Sequence, residues 1–261
     1  MSQTILSAEN LDIGYSSGRG QKIYVHKGLD LQLEEGKLTC LLGLNGAGKS
    51  TLLKTLCGFI PSLGGNIILK GRPLSDYSHE ELSTLTGVVL TGRTSDGGLS
   101  VRELVSMGRY PHTGFFGTLS ADDIRKVDES ISAVGITAMS ERHLAELSDG
   151  ERQKAFIAKA LAQECPLIIL DEPTAFLDIT SRMEVMALLR DIAHKQNITV
   201  FLSTHDLDSA LQLADMIWLL DKESPIHCGT PKSLASDGTL EAFFSRGSLH
   251  FDPESQRIIF S

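Results

Sequence analysis

The residues Gly43-Leu44-Asn45-Gly46-Ala47-Gly48-Lys49-Ser50 match the spacing G-x-x-x-x-G-K-[ST], a pattern whose chemistry is aimed at phosphate. Its glycines let the backbone curl so that successive N–H groups face an anion. Lys49 then reaches the outer phosphates of a nucleotide, and the Ser50 hydroxyl is a hard oxygen ligand for Mg²⁺; Thr51 is counted with this group. Far along the chain the apolar run Leu167-Ile168-Ile169-Leu170 ends in Asp171-Glu172. Such a run reads as a buried strand that delivers two carboxylates to its C-terminal edge, where open α/β sheets bind ligands. Asp171 suits a metal, directly or through water. Glu172, one residue further on, suits a water attacking a γ-phosphate, which it would orient or deprotonate. Alone, each motif has a plainer reading, as a glycine-rich turn or as an acidic strand end before Pro173. Together they describe one nucleotide-hydrolysing site.

Such a site needs a strand before the glycine loop and a helix after it. Lys37 to Leu42 supplies the strand, and Leu52, Leu53 and Leu56 lie on one side of a helix ending at Gly58. Residues 4 to 13 and 29 to 33 show strand-like patterning on either side of the polar, Gly-rich segment Ser16 to Gly20, which predicts a small antiparallel β region. Downstream, CPLIILD, ITVFLST and MIWLLD are undivided apolar runs separated by helical segments such as Arg182 to His194, the pattern of buried parallel strands. From Gly92 to about Gly117 the chain is loop-rich with one short helix, VRELVSMG. Ser120 and Asp123 then form a capping box before Ile124, Val127, Ile131 and Val134 at helical spacing. A mostly helical insert over about 92–163 is the expectation.

The bulk properties narrow the function. A net charge of -9, with no Lys/Arg-rich run, repels phosphate backbones and argues against nucleic acid. Cys40, Cys57, Cys165 and Cys228 show no CxxC spacing, three of them sit within or next to apolar runs, and buried free thiols of a reducing compartment are the reading. The N-terminal residues lack a signal-peptide pattern and no apolar run approaches membrane-spanning length, so a cytoplasmic protein with a membrane role only through another chain is expected.

Leu147-Ser148-Asp149-Gly150-Glu151, before a helix expected from Arg152 to Gln163, is on its own an ordinary helix start with Ser148 as N-cap. It also resembles the LSGGQ signature of the ABC ATPase family, with Asp149 and Glu151 departing from a glycine and the glutamine. It lies just upstream of Asp171-Glu172, as in that family, and the resemblance runs from residue 4 to about residue 235. By this resemblance Tyr15 is similar to the aromatic that stacks on adenine, the alternative being an edge-strand tyrosine. Ala175-Phe176-Leu177-Asp178 resembles the D-loop that crosses between subunits. His205 in Ser203-Thr204-His205-Asp206 looks like the switch histidine at the γ-phosphate, the alternative being a structural strand-end histidine. One landmark departs, since Thr91 stands where the family has a glutamine.

The resemblance implies an α/β P-loop NTPase core with an N-terminal antiparallel β region and an inserted helical subdomain. It forms one domain over 4–240, followed by a C-terminal extension over 241–261. It implies ATP and Mg²⁺, with Glu172 and His205 catalytic and Ser50 and Asp171 holding the metal. It also implies a head-to-tail dimer in which Ser148 and Gly150 cap the γ-phosphate bound by a second copy.

Val101-Arg102-Glu103-Leu104 followed by Gly108-Arg109-Tyr110-Pro111-His112 resembles importers of ferric siderophores, haem and cobalamin, although a plain surface turn would also explain Arg109-Tyr110-Pro111. That subclass implies an integral-membrane permease, an extracytoplasmic substrate-binding protein, and a location on the inner face of the membrane. An exporter ATPase or a soluble ABC protein acting on ribosomes or DNA are the alternatives. Some of Tyr110, Phe115 and Phe116, clustered in this loop-rich segment, are expected to line a groove for a permease helix.

Overall fold

The alternation of Leu29, Leu31 and Leu33 belongs to a longer strand than the sequence pattern delimits. In the computed structural model, which describes residues 3–16, 20–90, 98–114, 117–222, 224–245, 249–252 and 257–260, β1 (Thr4–Ser16) and β2 (Lys22–Glu34) form an antiparallel pair. With β4 (Gly64–Leu69) and β5 (Arg72–Pro73) they make a sheet in the order β2-β1-β4-β5.

The second sheet holds the undivided apolar runs. Its strands are β3 (Leu38–Gly43), β6 (Thr86–Val89), β7 (Leu167–Asp171), β8 (Thr199–Thr204), β9 (Met216–Leu220) and β10 (His227–Gly229), in the order β10-β9-β3-β8-β7-β6. All its pairings are parallel except the edge pair β9 and β10. Every residue of β3, β7 and β8 is buried, as expected of a parallel sheet covered on both faces. One face packs on the antiparallel sheet and on α1 (Lys49–Leu56), through Leu41, Leu52, Leu56, Leu69, Phe201 and Trp218. The Phe201 and Trp218 rings meet at 4.8 Å between centroids. The other face is covered by α6 (Ile179–Gln196) and α7 (Leu207–Leu213).

α2 (His79–Leu85) leads into β6. The insert follows, built from α3 (Val101–Ser106), a 3-10 turn over Met107–His112, α4 (Ala121–Ala133) and α5 (Asp149–Ala162). Capping boxes start α3 at Ser100, α4 at Ser120 and α5 at Ser148. The turn at Arg109 is not a plain surface turn. Arg109 is 4% exposed, and it donates to Asp123 (2.9 Å), to the Ala162 carbonyl (2.6 Å) and to Glu164 (2.7 Å). Gln163, from the end of α5, donates to the Ser83 carbonyl at 2.6 Å, so the insert is tied to the core just ahead of β6.

At the C-terminal end, α8 (Pro231–Ser236) and α9 (Thr239–Phe244) precede a hairpin of β11 (Leu249–Asp252) and β12 (Arg257–Phe260). The extension drawn from Glu241 begins inside α9, and its Phe251 is 2% exposed within the large core. Cys40, Cys57 and Cys165 are buried free thiols, and burial pushes Cys57 and Cys165 up to about 12; Cys228 departs from the expectation of burial and is exposed. Among the described residues no helix is long and apolar enough to cross a membrane.

Candidate functional site

The glycine loop leaves the sheet at Gly43, where any side chain would meet the Leu220 carbonyl of β9, a Cβ there lying 2.5 Å from it. The loop turns through left-handed backbone at Gly46 (φ 76°) and Gly48 (φ 101°), conformations that glycine adopts without a Cβ clash. Leu44, Asn45 and Ser50 are exposed, whereas Ala47 is buried. Lys49 opens α1 and folds back across the loop, donating to the Gly43 carbonyl at 2.9 Å and more weakly to that of Leu44 at 3.4 Å.

Its side chain is 5% exposed, and the ammonium lies 3.7 Å from Glu172 Oε1. Burial lowers the Lys49 pKa below its ordinary value, with Glu172 and then Asp171 opposing that shift. His205, just beyond β8, places Nε2 2.5 Å from the same Glu172 oxygen and 3.3 Å from Lys49 Nζ. A carboxylate only accepts, so Nε2 carries a proton toward Glu172. The histidine and the lysine therefore approach as two donors bridged by one acceptor.

The parallel register sets Asp171 beside Ser203. Ser203 Oγ donates to Asp171 Oδ1 at 2.7 Å and accepts the Glu172 N–H at 2.9 Å, which fixes both carboxylates at the end of β7. Glu172 itself takes left-handed backbone, φ 48°, a conformation that a non-glycine residue holds only when its surroundings impose it. A lysine, two carboxylates and a histidine thus gather at the C-terminal ends of the adjacent strands β3, β8 and β7, the edge at which such sheets bind ligands.

Tyr15, at the end of β1, is 48% exposed, and its hydroxyl lies 2.9 Å from Thr51 Oγ1 on α1. The tether leaves much of the ring free beside the loop.

A second group forms around Ser181. Asp178 caps α6, accepting from the Ser181 N–H at 2.9 Å and from its hydroxyl at 2.7 Å. Buried Gly150 packs on that same Ser181, whose Oγ would be 3.0 Å from an added Cβ. α5 begins at Asp149, three residues before the expected Arg152, because Glu151 and Ser148 close a capping box. The Glu151 carboxylate accepts from the Ser148 N–H (2.8 Å) and hydroxyl (2.9 Å). Phe176 (φ 67°) and Ile179 are each 79% exposed beside this group. Thr91, Phe115 and Phe116 lie outside the described residues.

Two neighbours of the site escape the sequence reading. Ser203 was legible only as part of an apolar strand, and His26, a lone histidine on β2, gives no local signal at all. The structure brings His26 Nε2 to 2.6 Å from the Ala47 carbonyl.

The chain matches the model of the ABC transporter family over residues 26–175. The ferric enterobactin transport ATP-binding protein of Escherichia coli (strain K12) is 33% identical over 247 residues, which cover 95% of this chain and 89% of that protein. The iron(3+)-hydroxamate import ATP-binding protein of Bacillus subtilis (strain 168) is 35% identical, with 92% and 87% covered. Among solved structures, the cbiO1 part of the Clostridium perfringens cbiONQ ABC transporter complex superposes with a TM-score of 0.77 at 30% identity, covering 92% of this chain and 93% of that one. On its motifs, its fold and these matches, the chain belongs to the ABC transporter family as an ATP-binding, ATP-hydrolysing subunit.

Proposed function

We propose that this chain is the ATPase of an importer for an iron-siderophore, haem or cobalamin-type cargo, working as a head-to-tail dimer beneath a separate permease on the inner face of the cell membrane. The single observation that carries its hydrolytic half is the contact of Lys49, Glu172 and His205 at the strand ends. ATP lies along the loop from Gly43 to Thr51. Lys49 exchanges Glu172 for the outer phosphates, and His205 turns from Glu172 to the γ-phosphate. The freed carboxylate of Glu172 then takes a proton from water as its oxygen bonds to the γ-phosphorus. The bond to the bridging oxygen breaks, and ADP leaves with the electron pair.

The Ser50 hydroxyl and the Asp171 carboxylate are the hard oxygen donors that Mg²⁺ favours, and the ion supplies charge neutralisation on the phosphates. Tyr15 stacks on adenine with its hydroxyl steadied by Thr51. The N-terminus of α5, with Ser148 and Gly150, caps the γ-phosphate held by a second copy, and Asp178 shapes the segment that crosses between copies. The exposed Phe176 and Ile179 beside it support a face that a second copy covers.

The import direction rests on the two siderophore-transport relatives and on the VREL and GRYPH segments. Cargo is handed to the permease by an extracytoplasmic binding protein. The nucleotide-handling unit spans 4–240, with the insert over about 92–163. Co-expression with a multi-span permease and measurement of ferric-siderophore, haem and cobalamin uptake tests this: uptake of one cargo that stops in Lys49→Ala is expected. Export, or function with no membrane partner, would overturn it.

A further inference from the structure

His26 stands where a regular strand would not put it. In β2 the buried side chains Leu29, Leu31 and Leu33 occupy odd positions, so uninterrupted alternation would turn Lys27 inward and His26 outward. One irregularity in the pairing with β1, between Leu29 and His26, reverses this. Lys27 and Gly28 together stand opposite Asp12, since Leu11 pairs with Leu29 and Ile13 with His26. Val25 is a second extra residue, since Gly14 pairs with Tyr24. Gly28 takes φ 64°, and its N–H is held by Asp12 Oδ1 at 3.0 Å. A bulge of this kind re-aims a side chain, and the one at Lys27–Gly28 leaves His26 8% exposed against the glycine loop.

The Ala47 carbonyl can only accept, so His26 Nε2 donates to it. A trans peptide is planar, with its C=O and N–H pointing in opposite directions. Holding the Ala47 oxygen outward, toward His26, therefore aims the Gly48 N–H into the loop. Nothing intrinsic to Gly48 does this. Its φ of 101° would become about -80° on a peptide flip, an equally accessible value for glycine. The His26 ring also packs on Gly48, where an added Cβ would lie 3.3 Å from Nε2.

We propose that His26 is a positioning residue for the nucleotide, locking the Ala47–Gly48 peptide so that the Gly48 N–H faces the phosphates. This rests on the glycine loop being the phosphate site. Calorimetric titration with ADP and with ATP, beside steady-state hydrolysis, compares His26→Leu, which has no donor, with His26→Gln, whose amide donates from a similar reach. His26→Leu weakens binding of both nucleotides by about tenfold, the loss expected of one buried hydrogen bond, and raises KM while kcat at saturation stays within about twofold. His26→Gln restores affinity to within about threefold of the original protein. Melting temperatures of the two variants agree, so the contrast does not report stability. Should His26→Leu fail to fold, His26→Met serves as the donorless member.

Wild-type affinity in the donorless variant, or equal weakening in His26→Gln, overturns the proposal. Lys49→Ala is the control for the underlying reading. If it binds nucleotide normally, the phosphate site is elsewhere and that assignment fails, whatever His26 does.

Discussion

Replacing Glu172 with glutamine separates two contributions that the site combines. The amide keeps the shape and can still accept from His205, but it cannot take a proton from water. Loss of a general base costs about 10²–10⁴ in rate, or roughly 3–5 kcal/mol of barrier. The second contribution acts on binding. At 3.7 Å the Lys49–Glu172 attraction is about 4–5 kcal/mol before desolvation, at an effective dielectric constant of about 20. Burial outweighs it, since the Lys49 pKa is lowered on balance even with Glu172 and Asp171 pulling the other way. Glu172 is therefore a weak competitor for Lys49, and removing its carboxylate frees the lysine for phosphate, whose own negative charge then favours the ammonium. Affinity for ATP should rise in Glu172→Gln by about threefold to tenfold, while phosphate release at saturating ATP falls at least about a hundredfold. Calorimetry and a phosphate-release assay read the two effects independently. Hydrolysis within about tenfold of the original protein refutes Glu172 as base, and weaker nucleotide binding refutes the competition between carboxylate and phosphate for Lys49.

Arg109→Met strands the carboxylates of Asp123 and Glu164, and thermal denaturation should show a melting temperature lower by about 10 °C; an unchanged value refutes the buried anchor. Asp123 is held down from 3.8 to about 2, first by the Ser120 hydroxyl, then by the Ser120 N–H and Arg109. Because its folded pKa is depressed, the stability it lends is complete above about pH 4 and is lost as the pH falls toward about 2. Ser120→Ala should move that loss to higher pH in acid titrations followed by circular dichroism. Glu151→Gln removes a negative charge at the N-terminus of α5 and should strengthen ATP-driven dimerisation a few-fold in sedimentation measurements; weakened dimerisation counts against α5 as a phosphate cap. Tyr110→Ser, at a side chain 59% exposed, should leave the melting temperature unchanged while lowering ATPase stimulation by the permease. Undiminished stimulation removes Tyr110 from that contact.

What the sequence discloses follows from what physics demands locally. The glycine loop and Asp171-Glu172 are legible because the chemistry fixes both residue type and spacing. β7, β8 and β9 are legible because a strand buried on both faces has to be apolar throughout. The start of α5 is written in the chain as well, since Ser148 and Glu151 have the S-x-x-E spacing of a capping box. β2 was visible only as the short stretch 29–33, because the bulges at Val25 and Lys27–Gly28 shift its parity and erase the alternation that identifies a strand. Arg109 reads as a surface cation until the fold surrounds it with Asp123, Glu164 and the end of α5. The two failures share a cause: each residue is placed by partners distant in sequence, and no local pattern encodes that. The φ of Gly48 is one that glycine adopts with either sign, and the Ala47 carbonyl of the peptide ahead of it is held from outside the loop by His26. The same irregularity that hides β2 from a periodicity search is what carries His26 to that peptide.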